Sequence, residues 1–142
     1  METVNVVDVE LPELPHYASA SNDSWSSELF GTESVDESDK SYAGILGIPI
    51  TNFTLEGKGI KKFRVRNRKN KWMPYKNSFD KTIGAGDNTP ITGIEIVGSG
   101  FIFAIHVKGG SWLPAVRTTN KDGEILAIAG SQIDAVWIDK IS

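Results

Sequence analysis

Between Gly57 and Lys76 the chain carries nine basic residues and no acidic one. In the run Lys-Lys-Phe-Arg-Val-Arg-Asn-Arg, strand alternation places Lys62, Arg64, Arg66 and Arg68 on one face and Phe63 and Val65 on the other. Guanidinium forks match phosphate oxygens, so this stripe is a candidate site for a phosphate polymer of the teichoic-acid type. The alternative is a solvated strand face whose bases discourage edge pairing. Aromatic rings form the second candidate group, because sugar rings stack on them through C–H faces. Trp72, Tyr75, Trp112 and Trp137 are the candidates. Trp72 and Trp112 each open a Trp-x-Pro, and equivalent positions in repeated units also serve packing. Trp137 lies between Val136 and Ile138, so its ring is expected to point away from theirs. His106, read in the outward phase of a strand, and Lys108 just after it complete the candidate contacts.

Much chemistry is missing. There is no cysteine, which removes thiolate nucleophiles, disulfides and thiolate metal sites. The two histidines, His16 and His106, do not make a zinc hydrolase, which needs several ligands and a general acid or base. A glycosidase needs two carboxylates flanking a sugar cleft. Glu95, Asp134 and Asp139 fall on core strands and are not expected to supply that pair. The stretch Gly-Ala-Gly-Asp-Asn at 84–88 lacks the Lys-Ser/Thr and helix of a phosphate loop. The expectation is a binding module, not an enzyme, with no cofactor and no metal.

These residues need elements to position them, and the charge distribution divides the 142-residue chain. Residues 1–40 hold ten acids and one base, Lys40; residues 41–142 hold fourteen bases and eight acids. The first segment is rich in Ser, Asp, Glu and Pro without apolar period, and reads as a mostly irregular acidic arm or linker. Within it, residues 4–11 could form one short strand, and Trp25, Leu29 and Phe30 could dock a piece on the domain. From 41 the texture is all-β: alternating runs at 49–55, 61–67, 90–96, 101–107 and 132–138, separated by Gly, Asn and Asp. No amphipathic helix is evident. No apolar run reaches the ~20 residues of a helical membrane span, and the N-terminus lacks the basic and apolar regions of a signal peptide.

The runs repeat. Pro49-Ile50-Thr51 recurs as Pro90-Ile91-Thr92, and Phe63, Val65, Trp72 and Pro74 recur as Phe103, Ile105, Trp112 and Pro114. A partial third copy starts at Ala129-Gly130. Two pseudo-repeats of about forty residues plus a closing strand are expected to form a small barrel or sandwich, with a trefoil-like arrangement as the alternative.

The string Ile105-His106-Val107-Lys108-Gly109-Gly110, Trp112-Leu113-Pro114, Val116, then Ala129-Gly130, Ile133-Asp134-Ala135 resembles the C-terminal cell-wall-binding repeats of Gram-positive cell-wall hydrolases. These include phage endolysins, autolysins and lytic bacteriocins. Residues 41–53 supply an earlier Tyr-Ala-Gly block, and the likeness spans 41–142. The chain departs from the pattern at Arg66 and Met73, the counterparts of His106 and Leu113, and lacks a Tyr before Ala129. The resemblance implies a targeting domain at the bacterial surface that holds a peptidoglycan hydrolase on peptidoglycan or a wall polymer. The catalytic domain would lie N-terminal, with the acidic arm as linker; a separate binding subunit made from an internal start is the alternative. Self-association is an open expectation. A polyanion- or nucleic-acid-binding β domain is the rival reading, nucleic acid ranking lower because the chain is acidic overall.

Overall fold

The structure, a computed structural model, describes residues 11–22, 24–26, 28–31 and 41–141. Among the described residues twelve strands follow one another: His16–Ser21 (β1), Ser24–Trp25 (β2), Leu29–Phe30 (β3), Ala43–Gly44 (β4), Asn52–Glu56 (β5), Ile60–Arg66 (β6), Ala85–Gly86 (β7), Gly93–Gly98 (β8), Phe101–Val107 (β9), Val116–Arg117 (β10), Ala127–Ile128 (β11) and Ile133–Lys140 (β12). The five alternating runs of the sequence are β5, β6, β8, β9 and β12. The expected strand at 4–11 lies almost wholly outside the described residues. None of the described helix-free chain offers a helix long and apolar enough to cross a membrane.

The strands form three antiparallel sheets, ordered β2-β1-β5-β7 with β3 also on β1, β10-β9-β12-β4, and β11-β8-β6. None closes into a barrel, so the barrel expectation is corrected. Each sheet is built on one long pair: β1 with β5, β6 with β8, and β9 with β12.

The arm also needs correction over 16–31. β1 lies between β2 and β5, in register from His16 opposite Glu56 to Ala20 opposite Asn52. Tyr17, Ala18 and Ala20 are buried, and Tyr17 joins the main core with Phe53 and Leu55. Ser and Ala alternate poorly in hydrophobicity, which hides the strand. They are nevertheless small enough to sit between two sheet neighbours, and Tyr17 supplies the apolar area. His16 closes the end of β1, stacked between Phe30 at 4.5 Å and Phe79 at 4.2 Å, with Glu56 and Glu28 at its two ring nitrogens. Residues 1–10 and 32–40 lie outside the described residues.

Where the three long pairs meet, three backbone bonds form a ring. Ile91 donates to Ile50 (2.8 Å), Ile133 to Ile91 (3.0 Å) and Ile50 to Ile133 (2.9 Å). All three isoleucines are fully buried. The strands beside them have no room for side chains at two glycines. A Cβ on Gly44 would stand 2.1 Å from the Asp134 carbonyl oxygen, and one on Gly86 2.3 Å from that of Thr51; both have positive φ.

Candidate functional site

The three tryptophans on hairpin edges occupy matching positions. Trp25 faces Ala20 on β1, Trp72 faces Arg66 on β6, and Trp112 faces His106 on β9. The next residue in each case returns a bond to the long strand: Ser26 to Ser19 (2.7 Å), Met73 to Val65 (2.9 Å) and Leu113 to Ile105 (3.0 Å). All three rings are half-buried. Antiparallel pairing holds each ring at the lip of its sheet, and after Trp72 and Trp112 a proline two residues on ends the edge. Their surroundings differ.

At Trp72 the cationic strand behaves as alternation requires, with Phe63 and Val65 fully buried and Lys62 and Arg64 on the other face. Both bases have partners within the protein. Arg64 Nε donates to Glu95 Oε1 at 2.6 Å, and its guanidinium lies 4.8 Å from the Trp72 ring centre and 4.5 Å from that of Tyr75. Lys62 pairs with Asp122 at 2.6 Å and sits over Tyr75 at 4.2 Å. Glu95 is 1% exposed, and its charge is shared among Arg64, the Tyr75 hydroxyl (2.6 Å) and the Gly123 amide (2.5 Å). Burial, and then the bond to Glu95, push the Tyr75 phenol up to about 12. Lys62, Arg64, Trp72 and Tyr75 are therefore brought together, but as a neutralised and mutually stacked cluster. The open cationic stripe is corrected to that extent. Arg66 is half-buried at the strand end, and Arg68, Lys69 and Lys71 are exposed on the following turn.

At Trp112 the neighbours are His106 (5.2 Å) and Tyr42 (5.7 Å), both edge-on. His106 was expected to face outward; it is 9% exposed and its Nδ1 lies 2.6 Å from Asp134 Oδ1. Asp134 is fully buried, and its second oxygen accepts the Gly47 amide at 2.7 Å. Trp137, at 4% exposure, is also interior and is corrected as a contact residue. The reason is of one kind on two strands: β9 is buried at every position from Phe103 to His106, and β12 at every position from Ile133 to Asp139, so alternation there does not separate core from surface. Trp137 stands opposite Ala104, whose small side chain leaves it space. Lys108 remains exposed beside a shallow hollow edged by Gly47 and Ser131.

The sequence marks Trp25 as a docking residue of the arm and not as a site. Among the described residues no cation or ring lies on it. Its ring edge rests on Gly84, where an added Cβ would stand 3.0 Å from Cη2. It overlooks a cleft of about 260 Å³ shared with the turn at 45–48. The missed signal was local: Ser-Trp occurs at both 24–25 and 111–112. Among the described residues no group of three His, Asp or Glu side chains is placed to hold a metal ion.

Searches of protein-family models, curated proteins and solved structures found no match to this chain.

Proposed function

We propose that the chain is a non-catalytic binding module that retains a peptidoglycan hydrolase on the Gram-positive cell wall, and that it takes the wall's neutral glycan in preference to its phosphate polymers. The observation that carries this reading is the repetition of one half-buried tryptophan at the same hydrogen-bonded place on three hairpin edges. A polymer of repeated sugars is met by repeated sites, and linked weak contacts raise overall affinity without any one being strong. The sequence likeness at residues 105–116 and 129–135 supports the same class.

The finer architecture belongs with this reading. The Ile50–Ile91–Ile133 ring and the three matching tryptophans support three related units, the first beginning at β1, in place of two units and a closing strand. On that view the trefoil-like alternative is the better description, and residues 16–31 belong to the binding domain.

The phosphate version loses ground because Lys62 and Arg64 already have Asp122 and Glu95. What favours the rival polyanion reading is the exposed turn carrying Arg68, Lys69 and Lys71. Sedimentation with purified Gram-positive walls, intact and stripped of phosphate polymers, separates the two. The glycan reading expects retention on both. Loss of binding on stripping supports the phosphate version, and no retention on any wall sinks the module altogether. A steeply salt-dependent affinity for oligonucleotides would instead favour the polyanion reading.

A further inference from the structure

The cleft at Trp25 is chemically unlike the other two tryptophan sites. β1 and β2 turn tightly at Asn22, whose φ is +50°, and set Ser21 opposite Ser24. The facing wall is the turn 45–48, where Ile48 donates to the Ile45 carbonyl at 3.0 Å. Ile45 and Ile48 are 66% and 44% exposed, so the wall is aliphatic and open. Among the described residues the lining holds no charged one. Ser21 Oγ spends its proton on the Pro49 carbonyl at 2.6 Å, which leaves its lone pairs to accept from a ligand. Ser26 Oγ accepts from the Ser19 amide, fixing the floor beneath Trp25. The indole passes close to Gly84, where an added Cβ would stand 3.0 Å from Cη2.

We propose that this cleft is a subsite for one neutral pyranose ring of the N-acetylhexosamine class. It rests on the glycan reading above and assigns that reading a specific subsite. The volume, about 260 Å³, is below the roughly 300 Å³ at which pockets for drug-sized ligands begin, which suits a single ring. The indole offers an apolar face for the sugar's C–H side. The serine hydroxyls accept from ring hydroxyls or the amide N–H, and Ile45 and Ile48 receive the acetyl methyl. A sugar acid or sugar phosphate would bring a charge to a lining that has no charged partner for it among the described residues.

The test is a titration of the ¹⁵N-labelled full chain, following the four tryptophan indole N–H resonances, with N-acetylglucosamine and its β-1,4-linked tetramer. The Trp25 resonance shifts saturably with both, and the buried Trp137 resonance stays put. Trp25→Ala and Ile45→Asp each weaken the tetramer by about tenfold or more. Ile45→Asp changes an exposed side chain, so it reads binding even where Trp25→Ala loses its fold. No saturable shift at Trp25, or wild-type affinity in Ile45→Asp, overturns the subsite. A protein that sediments with walls but shows no shift at Trp25 overturns this inference and leaves the wall-binding reading standing. One that does not sediment overturns that reading, whatever Trp25 does.

Discussion

Arg64 and Glu95 carry the clearest energetic consequence of a single pair. Removing the guanidinium leaves a carboxylate that is 1% exposed with two hydrogen bonds and no counter-charge. Arg64→Ala should therefore destabilise by about 2–4 kcal/mol in urea unfolding. Arg66→Ala, at the strand end, should stay within about 0.5 kcal/mol. Equal effects at the two positions would mean that the Glu95 cluster is not structural. Tyr75 adds a pH dependence. Its phenol is raised from 10 to about 12 by burial and by the bond to Glu95. The contribution is thus fully present below pH 10 and is lost as pH rises from 10 to 12, where the unfolded chain ionises first. Unfolding curves across that range should fall more steeply for the wild type than for Tyr75→Phe. The sequence made the two faces of β6 legible, since Phe63 and Val65 alternate with Lys62 and Arg64. It could not show that the partners are Glu95 and Asp122, which come from distant turns and strands. His106 was misplaced for a related reason: its partner Asp134 lies on a strand buried on both faces.

β1 sets the prediction at the scale of elements. It lies at the centre of its sheet and carries Tyr17 into the main core. A chain trimmed to residues 41–142 would expose the edge of β5 along with Phe53 and Leu55. That fragment should lack a cooperative unfolding transition and dispersed amide resonances. A well-folded fragment would show β1 to be an accessory strand. In the full chain, Tyr17→Ala should cost about 3–5 kcal/mol, as for other large aromatic truncations in cores. The five long runs were legible because each is rich in β-branched or aromatic residues and is followed within two or three residues by Gly, Asn or Asp. β1 was not, because His-Tyr-Ala-Ser-Ala-Ser carries one large apolar residue and sits in an acidic stretch. The short strands β4, β7 and β11 have two residues each and no periodicity to find.

For the whole molecule, the proposed retention on a wall rests on several modest aromatic sites carried by one β scaffold. The three related units proposed above rest on the backbone ring of Ile50, Ile91 and Ile133 and on the matching tryptophans, and they are faint in sequence, where residues 16–31 keep the tryptophan and little else of the motif. The basic run drew attention to phosphate, yet its central cations are held by the protein's own carboxylates. The direct measurement is sedimentation of the full chain with Gram-positive walls before and after removal of phosphate polymers, at low and at high salt. Binding to neutral glycan predicts retention on both wall preparations, little changed by salt and weakened by Trp25→Ala. Failure to sediment with either preparation would contradict it.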